Sequence, residues 1–122
     1  MKTTYETGIL GEEAAADYLR ERCGMILVER RFRTRCGEID LILLDGDTVV
    51  FAEVKTRKTS GHGSGLAAVD LKKKKRILNA ALVYLAKMKW TDRIVRFDVV
   101  EICRDGVLHV PDAFRPYGDF YH

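Results

Sequence analysis

Between Gly37 and Arg57 the chain reads GEIDLILLDGDTVVFAEVKTR. Two apolar runs, 39–44 and 48–54, flank Asp45-Gly46-Asp47, and such a turn between strand-forming runs predicts a β-hairpin. Asp40, Glu53 and Lys55 fall inside those strands, where burying charge is costly. The hairpin therefore constrains the fold, and its charges pose the functional question.

Side chains alternate along a strand, so Glu53 and Lys55 share a face with Val49 and Phe51. If Asp45 pairs with Thr48, Asp40 lies directly opposite Glu53. If Leu44 pairs with Asp47, Asp40 faces Phe51 and Glu53 is its diagonal neighbour. Both registers put Asp40, Glu53 and Lys55 on one face, whereas a three-residue loop would separate them. Directly facing carboxylates lie about 5 Å apart at Cβ. At that range one takes up a proton or a cation bridges the two. Carboxylate oxygens are hard ligands that suit Mg2+ or Mn2+. A lysine beside them can stabilise charge developing on a phosphate or orient a water. A solvent-facing Glu–Lys pair is the simpler alternative. It leaves unexplained why Val49 and Phe51, which need cover, share the face.

The remaining pattern predicts a helix over 9–23, striped by Leu10, Ala14 and Tyr18, widened by Ala15, Ala16 and Leu19, and stopped at Gly24. A strand follows over 25–32. Beyond the hairpin come a Gly/Ser loop at 59–65 and an N-cap at Asp70. A helix over 71–89 then carries Ile77, Ala80, Ala81, Tyr84, Leu85 and Met88 on its inner stripe. Strands over 94–102 and 107–110 close the order, the last ended by Pro111, with an irregular tail over 112–122. The order α-β-β-β-α-β-β predicts an α/β fold with a mixed β-sheet flanked by helices. At 122 residues and 47% hydrophobic, the chain suits one domain with a real core.

The start of the chain shows no apolar leader segment, and no apolar run nears the ~20 residues of a membrane span. A cytoplasmic location without membrane contact is the expectation. Cys23, Cys36 and Cys103 form no CxxC pair, which argues against a disulfide framework or a zinc site. The three histidines form no ligand pair, although His62 in the Gly/Ser loop could approach a site.

Net charge is only +3, but the bases are clustered. Arg20, Arg22, Arg30, Arg31, Arg33 and Arg35 crowd one stretch, and Lys72-Lys73-Lys74-Lys75-Arg76 is unbroken. Such patches suit a polyanion, nucleic acid first, although ordinary solvated faces look the same in sequence. The lysine run opens a helix, where the dipole disfavours cations and favours a bound phosphate. Lys73 lies four residues before Ile77, so it should point toward the sheet, unless it snorkels to water.

Asp, a hairpin spacer, then Glu-x-Lys resembles the signature of the PD-(D/E)xK nuclease superfamily. The fuller string, with Gly11-Glu12, Gly63-Ser64, Ala68-Val69 and Phe97-Asp98-Val99-Val100, resembles the YraN-like family of small bacterial proteins. The resemblance spans nearly the whole chain. It implies a restriction-endonuclease-like core, similar to archaeal Holliday-junction resolvases, with residues 1–122 as one nuclease-like domain. By that likeness Glu12, Asp40 and Glu53 are metal ligands, Asp40, Glu53 and Lys55 are catalytic, and the Lys73 step holds a polar or basic residue. The superfamily's proline before the first aspartate is replaced by Ile39. The leading expectation is a Mg2+-dependent (or Mn2+-dependent) endonuclease that hydrolyses DNA phosphodiester bonds. Arg31, Arg33, Arg35, Lys72, Lys73, Lys74, Lys75 and Arg76 would hold the backbone without reading bases. Two basic stretches suit branched or gapped DNA, and the likeness leaves room for a homodimer. A non-catalytic nucleic-acid-binding module of the same fold is the alternative. A protein-interaction domain whose acids only keep the hairpin in solution is a third.

Overall fold

A computed structural model describes residues 4–57 and 69–115. The Gly/Ser loop expected at 59–65, with His62, and the tail beyond Arg115 lie outside them. Helix α1 (Thr4–Glu21) is followed by β1 (Ile26–Thr34), β2 (Gly37–Asp45) and β3 (Thr48–Thr56). Helix α2 (Leu71–Met88), β4 (Val95–Cys103) and β5 (Gly106–Val110) complete the order. The sheet runs β1-β2-β3-β4-β5, so β1 and β5 are its edges. Strands β3 and β4 are parallel, joined through α2, and the other neighbours are antiparallel. The expected mixed α/β order is the observed one.

Strand alternation distributes two cores. Val49, Phe51, Phe97 and Val99 pack with Ile77, Ala80, Ala81, Tyr84 and Leu85 of α2. Leu41, Leu43, Val50, Ala52 and Val100 pack with Ala15, Ala16 and Leu19 of α1. The α2 stripe is the one its sequence predicts, and Asp70 caps the helix by accepting the Lys73 N–H at 2.8 Å. Ala15, Ala16 and Leu19 of the expected α1 stripe are buried, together with Glu12, whereas Leu10 is 47% exposed. Small residues explain the difference. They let α1 approach the sheet closely, so closely that a Cβ on Gly11 would lie 2.0 Å from the Thr56 hydroxyl. A second tight approach joins β2 to α2, where a Cβ on Gly37 would lie 2.0 Å from the Arg76 carbonyl oxygen. Both approaches sit beside the charged end of the hairpin.

Among the described residues, no helix is long and apolar enough to cross a membrane.

Candidate functional site

The hairpin adopts the first of the two expected registers, pairing Asp45 with Thr48 and continuing to Leu41 with Ala52. There the ladder stops, so Asp40 is not the regular cross-strand partner of Glu53. Its carboxylate Oδ2 instead accepts the Val54 N–H at 2.8 Å, and a side chain continues the pairing that the main chain abandons. The cause is a local irregularity. Ile39 and Ile42 both join the α2-side core, which simple alternation forbids. The break falls at Asp40, flanked by the β1 pairs Arg30–Leu41 and Phe32–Ile39. Between those two arginine-strand positions, Arg31 takes a positive φ of 49°.

Glu53 lies on the α2 side of β3 and is only 7% exposed. Two lysines meet its Oε1: Lys73 Nζ at 2.6 Å and Lys55 Nζ at 3.3 Å. Lys73 thus points inward, as its place in the stripe predicts. Its ammonium, unfavourable at a helix start, is offset by the buried carboxylate it reaches. Glu53 and Lys73 open into a cleft of about 410 Å³, lined also by Glu38, Asp70, Lys72 and Arg76.

Charge balance in this cluster is uneven. Burial, then the charge of Glu53, push the Asp40 carboxyl up to about 8; the Val54 N–H opposes them, while Glu12 and a hydrogen bond shared with Glu53 reinforce them. Lys55 is held below the ordinary lysine value by burial and by its hydrogen bond with Lys73. Burial would lower Lys73 too, but its hydrogen bonds to Glu53 and Lys55 and the attraction of Glu53 and Asp40 raise it. At neutral pH the cluster therefore holds a protonated Asp40 and an ionised Lys73 on Glu53.

Glu12, carried close by the tight packing of Gly11, is buried and ion-paired with Arg31, while the next residue, Glu13, pairs with Arg30. These pairs tie α1 to β1. They place Arg31 on Glu12, a partnership that its position in an arginine-rich strand does not reveal. Among the described residues, no three His, Cys, Asp or Glu side chains converge as a ready-made metal cluster. Asp40 and Glu53 still fit a hard cation. Mg2+ commonly takes one or two carboxylates and completes its shell with water and substrate phosphate. Binding would require Asp40 to release its proton and Glu53 to exchange a lysine for the ion.

Of the remaining bases, Lys72 and Arg76 line the cleft. Arg33 pairs with Glu38 at 3.2 Å on the surface. Arg35, Lys72, Lys75 and Arg76 are exposed, and Lys74 lies over the Phe114 ring, 5.7 Å from its centroid.

Strand β4 contributes two carboxylates that the sequence reading passed over. Asp98 is fully buried and bonded by Arg96 (2.8 and 3.0 Å), His109 (2.8 Å) and the Asp112 N–H (3.0 Å). Glu101 is 2% exposed and pairs with Arg57 at 3.2 Å. The signal was available: both are acids inside the apolar run of β4, the same anomaly that marks Asp40 and Glu53.

The family described as an uncharacterised protein family, UPF0102, matches residues 11–102. The chain belongs to that family. A UPF0102 protein of Geobacter metallireducens is 44% identical over 112 residues, spanning 88% of this chain and 91% of its own. One from Geotalea uraniireducens is 46% identical over 113 residues, spanning 88% of each chain. One from Persephonella marina is 38% identical over 104 residues, spanning 85% and 89%. The matched UPF0102 span contains Glu12, Asp40, Glu53, Lys55 and Lys73; the family description assigns none of them a role.

Proposed function

We propose that this UPF0102 protein is a Mg2+- or Mn2+-dependent endonuclease of the PD-(D/E)xK type that hydrolyses DNA phosphodiester bonds. One observation carries the reading. Asp40 and Glu53 adjoin Lys55 and Lys73 at one buried point, and that point opens on a cleft rimmed by Lys72 and Arg76. Carboxyls crowded together raise one another's pKa, a repulsion that a bound cation relieves, and a carboxyl so perturbed beside a cleft is the mark of a functional-site candidate.

Asp40 and Glu53 would hold the ion, with Glu12 behind them. When bound, the ion would supply a water of lowered pKa and a counter-charge for the scissile phosphate. Lys55, with its pKa lowered and next to Glu53, is placed to orient that water or to stabilise charge on the phosphate as it transfers. Lys73 neutralises Glu53 before substrate arrives and is then free to meet the backbone. Lys72, Lys75, Arg76, Arg33 and Arg35 offer contacts to phosphate that carry no base identity.

A second reading has a specific observation behind it. Glu12 is engaged by Arg31, and Glu53 by two lysines, a balance that a non-cutting nucleic-acid-binding module could also keep. Cleavage of four-way-junction, gapped and linear DNA with and without Mn2+ separates the two. The nuclease reading expects metal-dependent products that vanish with chelator and in Asp40→Asn, while Lys55→Ala still binds DNA and metal. DNA binding without cleavage of any of the three would place the binding module first.

A further inference from the structure

Arg57 continues the row of Glu53 and Lys55. It lies just past β3, but its N–H donates to the Ile102 carbonyl at 2.8 Å, so the pairing with β4 extends to it. Alternation then sets Glu53, Lys55 and Arg57 on the α2 side, about 6.5–7 Å apart in succession. On β4, Glu101 is the register partner of Lys55 and shares its face with Phe97 and Val99 of the core. The Glu101 carboxylate, 2% exposed, meets Arg57 Nε at 3.2 Å, while the Arg57 side chain is 33% exposed.

This arrangement is costly for packing alone. A carboxylate taken out of water must be paired, and apolar residues of similar volume often serve stability as well or better. What a buried acid does supply is orientation. It fixes a long side chain whose freedom would otherwise be lost when a ligand binds. Guanidinium has five N–H donors in a planar fork matched to phosphate, and the pair with Glu101 is made through Nε. The other N–H groups belong to a side chain that is one-third exposed, at the end of the row that begins at Glu53.

We propose that Arg57 forms a second phosphate-binding position of this site, taking a backbone phosphate beside the scissile one, with Glu101 as its positioning residue. The proposal rests on the nuclease reading and adds a direction to it. The strand of nucleic acid runs past Glu53 along β3 toward its C-terminal end, outward over Lys55 to Arg57.

The test is the salt dependence of binding to a short single-stranded oligonucleotide, with chelator present so that no cleavage occurs. Arg57→Gln alone would take the counter-charge from the buried Glu101 carboxylate, so it is made in a Glu101→Gln background, with thermal melts to show that both variants fold. Glu101→Gln keeps the cation and should keep the wild-type slope of log affinity against log salt. Arg57→Gln with Glu101→Gln should lose affinity roughly three- to tenfold and flatten the slope by about 0.7, one phosphate's worth of released counterions. Arg57→Lys should restore the slope but not the full affinity, because a point charge replaces a fork. Equal slopes for wild type and the double variant would overturn the proposal and leave the nuclease reading standing. Wild-type binding that ignores salt would overturn both.

Discussion

Asp98 and Asp40 are both aspartates set in one sheet, and they are treated in opposite ways. Asp98 receives the Arg96 fork, His109 and a backbone N–H. Burial alone would raise its pKa, but these bonds hold it below the ordinary value. Asp40 receives one backbone N–H and faces Glu53 and Glu12, and its pKa rises to about 8. Burial is common to the two; the supply of donors is what differs. A carboxylate with every lone pair met is a fastener. One left beside other acids gives up its charge instead and keeps its proton near neutral pH.

The largest effect tests the fastener. Asp98→Ala leaves Arg96 and His109 without their shared acceptor in a closed space and should cost about 3–5 kcal/mol. Denaturant unfolding at neutral pH would show it as a lower midpoint at unchanged slope. A loss under ~1 kcal/mol would erase the contrast between the two sites.

The next effect tests the crowded carboxyl, and its sign is opposite. Between about pH 4 and pH 8 folded Asp40 holds a proton that the unfolded chain, near the ordinary 3.8, has released. Stability from this group therefore falls as pH rises through that window. Asp98, with a depressed pKa, contributes stability that is lost only as pH falls below the ordinary carboxylate range. Asp40→Asn retains an acceptor for the Val54 N–H and removes the titration. It should be more stable than wild type at pH 8, by on the order of 1–3 kcal/mol, and equal to it near pH 4. Melting curves across pH, with and without Mg2+, check this. Metal should raise wild type most at the alkaline end and leave Asp40→Asn where it was.

The last effect concerns how α2 brings Lys73 to Glu53. Gly37→Ala drives a Cβ into the Arg76 carbonyl, and because the obstacle is backbone, α2 must yield by on the order of 1 Å. A loss of about 1–3 kcal/mol is expected from such overpacking, together with a larger proportional loss of DNA affinity, since the displaced turn carries Lys73 and Arg76. Unchanged DNA affinity in a destabilised Gly37→Ala would detach the helix start from the site.

What was legible in the sequence followed locality. The turn Asp45-Gly46-Asp47 set a register that left few choices, Asp70 announced a helix start, and the spacing from Lys73 to Ile77 turned that lysine inward. Three features escaped. The kink at Asp40 depends on Arg31 in a different strand, the Glu12–Arg31 pair joins a helix to that strand, and Asp98 is satisfied by residues from β4, β5 and the turn beyond. Each is a contact between distant segments, and alternation says which face a residue takes but not what waits there. Buried acids in β4 were nonetheless readable as an anomaly of the same kind as Asp40 and Glu53.

The two edges of the sheet bear on a different matter, the behaviour of many copies together. A free strand edge is a template on which another chain can lay down its own strand, the first step toward fibres. Here β5 offers only Gly106–Val110 before Pro111 ends it. The longer edge, β1, is interrupted by a register shift between Leu27 and Glu29 and by the positive φ of Arg31, and it is studded with Arg30, Arg31 and Arg33. An incoming copy would meet a broken ladder and charged side chains already held in ion pairs with Glu13, Glu12 and Glu38. The same arginines that tie the strand to its neighbours thus leave that edge a poor template for another strand.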